Sequence, residues 1–370
     1  MGQSQNPLSR TTSNDSIASI KTDPSLVSTD SIETIESNNS NLSTQSHIST
    51  EKQRVSEIRE RVIKKKDKQG RENTPIKYLV LSGGGVKGLE YSGVADALEK
   101  SGNFSGLEGI SGSSAGAISA ALMASGISAS KFKTIVNSTN MKKLLGKGGF
   151  LMFGKDGEPL YKLISTSVKE SISEYLKADI KDILTERLAE LNESLEKTKE
   201  KLLNADEEKA AIDKKVNKLK ELTKQTLSKQ TLSLEEKKEL SKRITTLKLE
   251  KEKLEDLEYT KLELIQNISK LKAIQNGNTL VIDKLRHRAN SDNGKIFFKD
   301  LALMHLIDPY KFKDLYITAV EKKTGELKVF STIDTPDIDI AAACRASASL
   351  PIILKPAKLG DKEYIDGGYK

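Results

Sequence analysis

The sequence predicts an α/β protein, a mainly parallel sheet with helices on both faces, interrupted by an inserted antiparallel helical hairpin. Three observations predict it. The continuous apolar run IKYLVLS at residues 76–82 is followed by alternating helical and strand patterns, the order that builds a parallel sheet between helical layers. After Asn276 the α/β pattern resumes. Between the two, residues 184–276 change to leucines at heptad-like spacing in a background of Lys and Glu.

In chain order, residues 1–50 hold twenty Ser or Thr and no aromatic side chain, too little apolar surface to offset the entropy of ordering, so a disordered tail is expected there. Residues 51–76 read as a charged helix or linker. Val55, Ile58, Val62 and Ile63 form a narrow apolar stripe followed by Lys64, Lys65 and Lys66, which suits a short helix packed on the domain or lying on a membrane surface. The first part of the domain, 77–183, starts with the 76–82 run as a buried parallel strand. A helix over Leu89–Lys100, a strand near Leu107–Ser111 and a helix over Ala115–Met123 follow.

In the insertion, Leu184, Leu188, Leu191 and Leu195 step by four, three and four, and Leu240, Ile244, Leu247 and Leu254 share a second seam. The weakly apolar stretch Thr226–Leu232 separates them, and Ser233 with Glu236 forms a capping box that restarts the helix. The ends of such a hairpin lie close together, so the sheet need not be broken. The second part, 277–370, contributes strands over Leu315–Val320 and Glu326–Ser331 joined by a Lys-Thr-Gly turn. A small-residue helix over Ile340–Ser349 ends before Pro351.

The apolar fraction is 36% and the charged fraction 30%, which places some of the chain outside any core. The net charge of +8 is uneven: residues 1–50 carry −3 and the remainder +11. A basic body meets anionic lipid or nucleic acid, and charge alone decides neither. A single cysteine, Cys344, excludes an internal disulfide and a multi-thiolate zinc site. No run approaches the roughly 18 apolar residues of a membrane span, the first residues lack the order of a signal peptide, and Asn6 stands where myristoylation needs Ser or Thr. Membrane contact is therefore expected to be peripheral.

Three short segments carry chemistry. Ser82-Gly83-Gly84-Gly85-Val86-Lys87-Gly88 follows a strand and opens a helix, where glycines admit a ligand close to the backbone and free N–H groups favour negative charge. It suits a phosphate or an oxyanion equally. A dinucleotide site shares the glycine spacing, but it also needs an acid at the end of the second strand, which runs instead into Gly112 and Ser113. Gly112-Ser113-Ser114-Ala115-Gly116 is a G-x-S-x-G between strand and helix, whose small residues permit the sharp turn that presents the Ser114 hydroxyl. Of the three histidines, His47 lies in the tail, and His287 and His305 have no acidic partner signalled nearby, so a Ser-His-Asp triad is poorly supported. Tyr364-Ile365-Asp366-Gly367-Gly368 instead ends a short strand on a carboxylate able to accept a serine proton directly.

In this order the three segments resemble the patatin-like phospholipase family: G-G-G-x-K/R-G, G-x-S-x-G and D-G-G/A. The similarity extends through Phe312-Lys313-Asp314-Leu315 and Thr324-Gly325-Glu326-Leu327 to Arg345-Ala346-Ser347-Ala348-Ser349-Leu350-Pro351, like the family's R-A-S-x-A-x-P. The resemblance implies a lipid acyl hydrolase. Ser114 is then the nucleophile, Asp366 the proton acceptor, and Gly83, Gly84, Gly85, Val86, Lys87 and Gly88 the oxyanion loop. Gly112, Ser113, Ala115 and Gly116 frame the serine, and Gly367 and Gly368 follow the aspartate. No metal or cofactor is implied.

Expected partners are a phospholipid or other lipid ester, a membrane surface met peripherally, and a protein partner at residues 184–276; nucleic acid is not expected. Lys87 is placed to meet a lipid phosphate. Residues 148–154, GGFLMFG, suit the rim of an acyl pocket or a loop dipping into a bilayer. Arg345 and Cys344 read as structural. The family's sequence normally continues past D-G-G, so at Lys370 the second part reads as truncated. Likeness to bacterial effectors of the family implies a cytoplasmic chain or one exported by a non-Sec route. The rival reading is a catalytically silent scaffold that acts through the hairpin.

Overall fold

The computed structural model describes residues 76–146, 154–228 and 234–369. The Ser/Thr-rich tail, the apolar stripe at Val55–Ile63, residues 148–153 and Ser233 of the expected capping box lie outside the described residues.

The chain begins with β1 (Tyr78–Leu81), a 3-10 turn (Gly85–Glu90), α1 (Tyr91–Ser101), β2 (Gly109–Ser113), α2 (Ala115–Ala124), α3 (Ala129–Ser138) and the short α4 (Met141–Leu144). Helices α5 (Glu158–Lys177), α6 (Lys181–Lys201), α7 (Ala205–Ser228), α8 (Leu234–Gln275), α9 (Leu280–Asn290) and α10 (Phe298–Ile307) follow. Strands β3 (Asp314–Glu321) and β4 (Leu327–Ser331), α11 (Ile340–Ser347), β5 (Ala357–Leu359) and β6 (Lys362–Asp366) complete the chain.

These strands form one six-stranded sheet, which with its helical layers makes an α/β fold. It is parallel across β1, β2 and β3 and antiparallel where β4 and β6 join β3 and β5 joins β6. The expected parallel pairing thus forms the half that carries the Gly-rich loop and the serine turn. Helix α2 packs over β2 and β3, and α11 over β3, β5 and β6. Helix α5 closes the layer against α2, α9 and α11.

The small side chains of α2, AGAISAALMA, let its backbone lie directly on the strands. A methyl group added to Gly116 would overlap the Leu81 carbonyl, and one added to Gly112 would overlap the carbonyl of Gly116. Only glycine permits this approach, and it sets the depth at which α2 begins.

Several boundaries differ from the expected ones; the 340–349 helix stops at Ser347, and the strand expected from Glu326 starts at Leu327. Strand β2 runs over Gly109–Ser113, because pairing of Gly109 with Tyr78 and of Ser113 with Thr318 extends the ladder through residues that read locally as a turn. The 76–82 run, expected to be buried on both faces, is instead an edge strand: Leu81 is buried while Tyr78 and Val80 are 61% and 76% exposed. An apolar run alone cannot separate the two cases, since the edge is set by which strands pair elsewhere. The helix expected from Leu89 starts at Tyr91, after the 3-10 turn.

Among the described residues the helical insertion has three helices where two were expected. Its outgoing arm is α6 followed by α7, broken at residues 202–204, and its returning arm is the 42-residue α8. The arms run antiparallel. Gln275 bonds Thr185 at 2.8 Å near the base, and farther out Lys209 meets Glu258 and Lys251 meets Asp213, both at 2.7 Å. The base belongs to the main core, where Leu184, Leu188, Leu191 and Leu195 pack with Ile268, Leu271 and Ile274. Beyond the break a small separate cluster holds Ala205, Ile212, Val216 and Leu254, with Ile244 and Leu247 against it. Leu240, the first residue of the expected seam, is half-buried. No helix among the described residues is long and apolar enough to cross a membrane.

Candidate active site

The site sits where two strands meet end to end along β3. Strand β2 runs parallel to β3 and finishes at Ser113, opposite Thr318. Strand β6 runs antiparallel to β3 and finishes at Asp366, opposite Ala319, the next residue. Because β4 occupies the other edge of β3 over the same residues, β2 and β6 share one edge and converge on it. Residues 252 positions apart in sequence are thereby brought into contact: the Ser114 hydroxyl donates to Asp366 Oδ2 at 2.6 Å.

Ser114 has φ 53° and ψ −122°, a left-handed conformation that a non-glycine residue holds only when its surroundings enforce it. Three contacts do so. Gly112 and Gly116 place the turn between β2 and α2, Gly88 packs against Ala115 with no room for a side chain, and the Ser114 N–H donates to Ser347 Oγ at 2.8 Å. Turning the chain this sharply points the hydroxyl out of the strand and sets it before the N-terminus of α2.

Asp366 is 3% exposed, and its second oxygen, Oδ1, accepts the Gly368 N–H at 2.8 Å. With one oxygen on Gly368 and the other on Ser114, the carboxylate cannot rotate without breaking a bond. Gly367 crosses the Thr318 carbonyl at a distance no Cβ would allow. The enclosed Ser113 hydroxyl faces Gly367, 2.9 Å from where such a Cβ would stand.

Helix α11 ends between the two turns and joins them. Ser347 Oγ accepts from Ser114 N–H and donates to the Thr318 carbonyl at 2.6 Å, and Ser347 O accepts the Gly367 N–H at 3.0 Å. Ser349 O accepts the Asp366 N–H, also at 3.0 Å. Arg345 secures the same turn, donating to the carbonyls of Asp156 and Lys355 and, at 2.6 Å, to Ser349 Oγ. At the start of α11, Asp339 accepts from Ala341 N–H and from the Tyr161 hydroxyl. Burial pushes the Asp339 carboxyl above the usual carboxylate range, against the pull of the Tyr161 bond. Cys344 is buried with its thiol toward the Ala117 carbonyl, and burial raises its pKa.

The Gly-rich loop passes beside the serine. A Cβ on Gly83 would stand 3.1 Å from Ser114 Cβ and 3.8 Å from its Oγ. Gly85 is left-handed at φ 56°, and Lys87 N–H closes the 3-10 turn onto Gly84 O at 3.1 Å. The earlier N–H groups of such a turn have no acceptor within it and stay open to a ligand. Gly84, Gly85, Val86 and Lys87 are exposed, so the loop is a rim and not a floor. Among the described residues, no group of three or more His, Cys, Asp or Glu is placed to hold a metal ion. His305 Nδ1 is engaged with the Phe312 carbonyl at 2.7 Å, and His287 is exposed on α9.

The model of the patatin-like phospholipase family matches residues 79–370, which include every one of these elements. The chain belongs to that family. A probable lipid hydrolase, 463L, of Invertebrate iridescent virus 6 is 31% identical over 127 residues, covering 30% of this chain and 43% of the relative. The crystal structure of VipD from Legionella pneumophila matches with 20% identity and a TM-score of 0.47, covering 82% of this chain and 48% of that one. The type III effector protein ExoU of Pseudomonas aeruginosa matches with 20% identity and a TM-score of 0.41, covering 75% and 40%. The chain thus spans less than half the length of these relatives.

Of the sequence-derived residues, the structure brings together Ser114, Asp366, the glycine loop and both flanking glycine sets. The part of Ser347 and Ser349 was missed: they entered only as letters of a family-like segment. Their signal was weak but present, one serine closing a helix rich in alanine and a second two residues beyond its end.

Proposed function

We propose that the chain is a serine acyl hydrolase of lipid esters, of phospholipase A type, working through a Ser114–Asp366 dyad. The observation that carries this reading is the 2.6 Å hydrogen bond between a left-handed serine and a buried carboxylate beside a glycine loop. Asp366 takes the proton of Ser114 as Oγ attacks the ester carbonyl, and the N–H groups of Gly84, Gly85 and Val86 receive the oxyanion. The C–O bond to the alcohol breaks, and the alcohol leaves with the proton from Asp366. Water then gives a proton to Asp366 and attacks the acyl carbon; the fatty acid departs and Ser114 regains its hydrogen. Fixed N–H donors aimed at the developing oxyanion stabilise the transition state more than any other group in such chemistry, and one donor contributes about 10²- to 10³-fold.

The test is acyl release from a panel of phospholipids and neutral esters by the purified chain. Ser114→Ala and Asp366→Asn are each expected to lower the rate by about 10³-fold or more, since dyad members act as a unit. Full activity in either variant sinks the dyad.

A second role, capture of a protein partner by the 184–276 insertion, is favoured by the exposed side chains of Leu203, Tyr259 and Leu262 along its arms. It is independent of the dyad.

A further inference from the structure

Ile352 stands out among the described residues. Its φ is 77°, a region that β-branched side chains avoid, and its side chain is 72% exposed. Both features are unfavourable for isoleucine in water, and glycine would relieve both. The turn is not loose. Gly154 N–H donates to Ile352 O at 2.9 Å, Lys155 N–H to Ile353 O at 3.0 Å, Lys355 N–H to Lys155 O at 2.9 Å and Leu354 N–H to Leu350 O at 3.0 Å. Backbone bonds on both sides of Ile352 hold its side chain outward.

The turn lies at the mouth of the site. Leu350 is three residues past Ser347, whose hydroxyl holds the Ser114 N–H, and Val86 is three residues past Gly83, which touches Ser114. Three Cα steps span at most about 11 Å, so both lie close to the serine turn. Val86 and Leu350 are exposed like Ile352. Lys355, exposed, and Lys155, half-buried, flank the turn, Lys87 follows Val86 in the exposed glycine loop, and none of the three forms an ion pair with a described residue. The neighbouring Asp156 carboxylate is turned back onto the Glu158 N–H.

An apolar tip beside cations that pair with no described residue matches the interface of an anionic bilayer, with acyl chains beneath and phosphates above. We propose that Val86, Leu350 and Ile352 insert into the surface of an anionic membrane, while Lys87, Lys155 and Lys355 meet its headgroups, seating the mouth of the Ser114 site on the bilayer. This rests on the lipid-ester reading and names the surface from which that site would draw its substrate.

Ile333 supplies an internal control. It is 78% exposed, but it follows Ser331, which pairs with Tyr316 toward the opposite end of β3. The experiment is co-sedimentation of the full chain with vesicles of phosphatidylcholine and phosphatidylglycerol, in a Ser114→Ala background so that no lipid is consumed. Ile352→Ser and Ile352→Gly are each expected to weaken partition by about tenfold, the effect of withdrawing one large aliphatic side chain from an apolar phase. Ile352→Gly relaxes the turn's backbone, so misfolding does not account for its loss. Ile333→Ser is expected to leave binding unchanged, and added salt to weaken it. Equal losses at Ile352 and Ile333, no loss at Ile352, or no vesicle binding at all overturns the proposal. Acyl release by the unmutated chain is a separate measurement, so failure of the hydrolase reading shows itself there.

Discussion

Around the C-terminal end of α11 the backbones of two strands, two turns and a helix touch one another directly, whereas beyond residue 202 the helical insertion is held by side chains alone. In the first region Gly88, Gly112, Gly116 and Gly367 each stand where a methyl group has no room, and Asp366 and Ser347 are buried with their polar atoms engaged. In the second, among the described residues, Ala205, Ile212, Val216 and Leu254 form a small buried cluster, and the charged pairs Lys209–Glu258 and Lys251–Asp213 sit near the surface. The difference lies in what each region requires of its sequence. Backbone contact demands one residue type at each position, while an apolar seam between two helices accepts any side chain of similar volume.

The largest effect that sharpens this contrast is expected from paired truncations on α8. Leu271 is fully buried in the main core, so Leu271→Ala should cost about 2–5 kcal/mol. Leu254 belongs to a small cluster flanked by half-buried Ile244 and Leu247 that can relax around the gap, and Leu254→Ala should cost about 1 kcal/mol. Urea unfolding of both variants measures the difference. Equal costs would mean that the outer insertion is as tightly packed as the core.

Charge distinguishes the regions next. Lys313, at the head of β3, is fully buried: its ammonium donates to the carbonyls of Pro309 and Ser105 and lies 5.2 Å from the centre of the Phe104 ring. Burial pushes its pKa down to about 7, with Asp308 acting in the opposite direction. The unfolded chain holds this proton up to about pH 10.4, so between about pH 7 and that value the unfolded state binds more protons. Stability of the native chain should therefore rise with pH across that window, by a few kcal/mol in total. Lys313→Met should remove the rise, and its advantage over the native chain should be greatest at pH 7 and below. Denaturation curves at pH 7 and pH 9.5 decide it; parallel profiles for the two proteins would refute the buried-charge account. Removing the exposed Lys251–Asp213 pair should leave the denaturation midpoint nearly unchanged.

The same contrast explains what could be read from the sequence. The serine turn and the aspartate turn were legible because each is local, a strand running into a turn whose glycines have no substitute. The insertion was legible as helix because its leucine spacing repeats. What escaped depends on partners far away in sequence. The exposure of Tyr78 and Val80 follows from β1 having a partner on one side only, and the last residues of β2 follow from a ladder with β3, some two hundred residues on. The break at residues 202–204 interrupts a continuous leucine pattern and carries neither Gly nor Pro to announce it. The depth of Lys313 and the left-handed turn at Ile352 likewise have no local sign, since lysine is ordinarily solvated and isoleucine ordinarily extended.

Ser347 tests the comparison at its finest grain, because it joins the two halves of the site without belonging to either motif. Its hydroxyl is the acceptor for the N–H of Ser114 and a donor to Thr318, and its carbonyl holds Gly367. Ser347→Ala keeps the carbonyl and therefore the aspartate turn, but frees the backbone of the serine turn and leaves a half-buried N–H without its acceptor. A lost hydrogen bond of this kind is worth about 1–2 kcal/mol, so kcat should fall by about tenfold. Ser347 does not touch the substrate in this scheme, and KM should stay where it is. A purely structural role would instead lower the melting temperature and the fraction of active protein, leaving the rate per labelled serine intact. Titration of Ser114 with an active-site phosphonate separates the two, because it counts competent sites and reports how fast they react. A slower labelling rate with an undiminished end-point makes Ser347 a positioning residue; an unchanged rate means the left-handed Ser114 is held by the glycines of β2 and α2 alone.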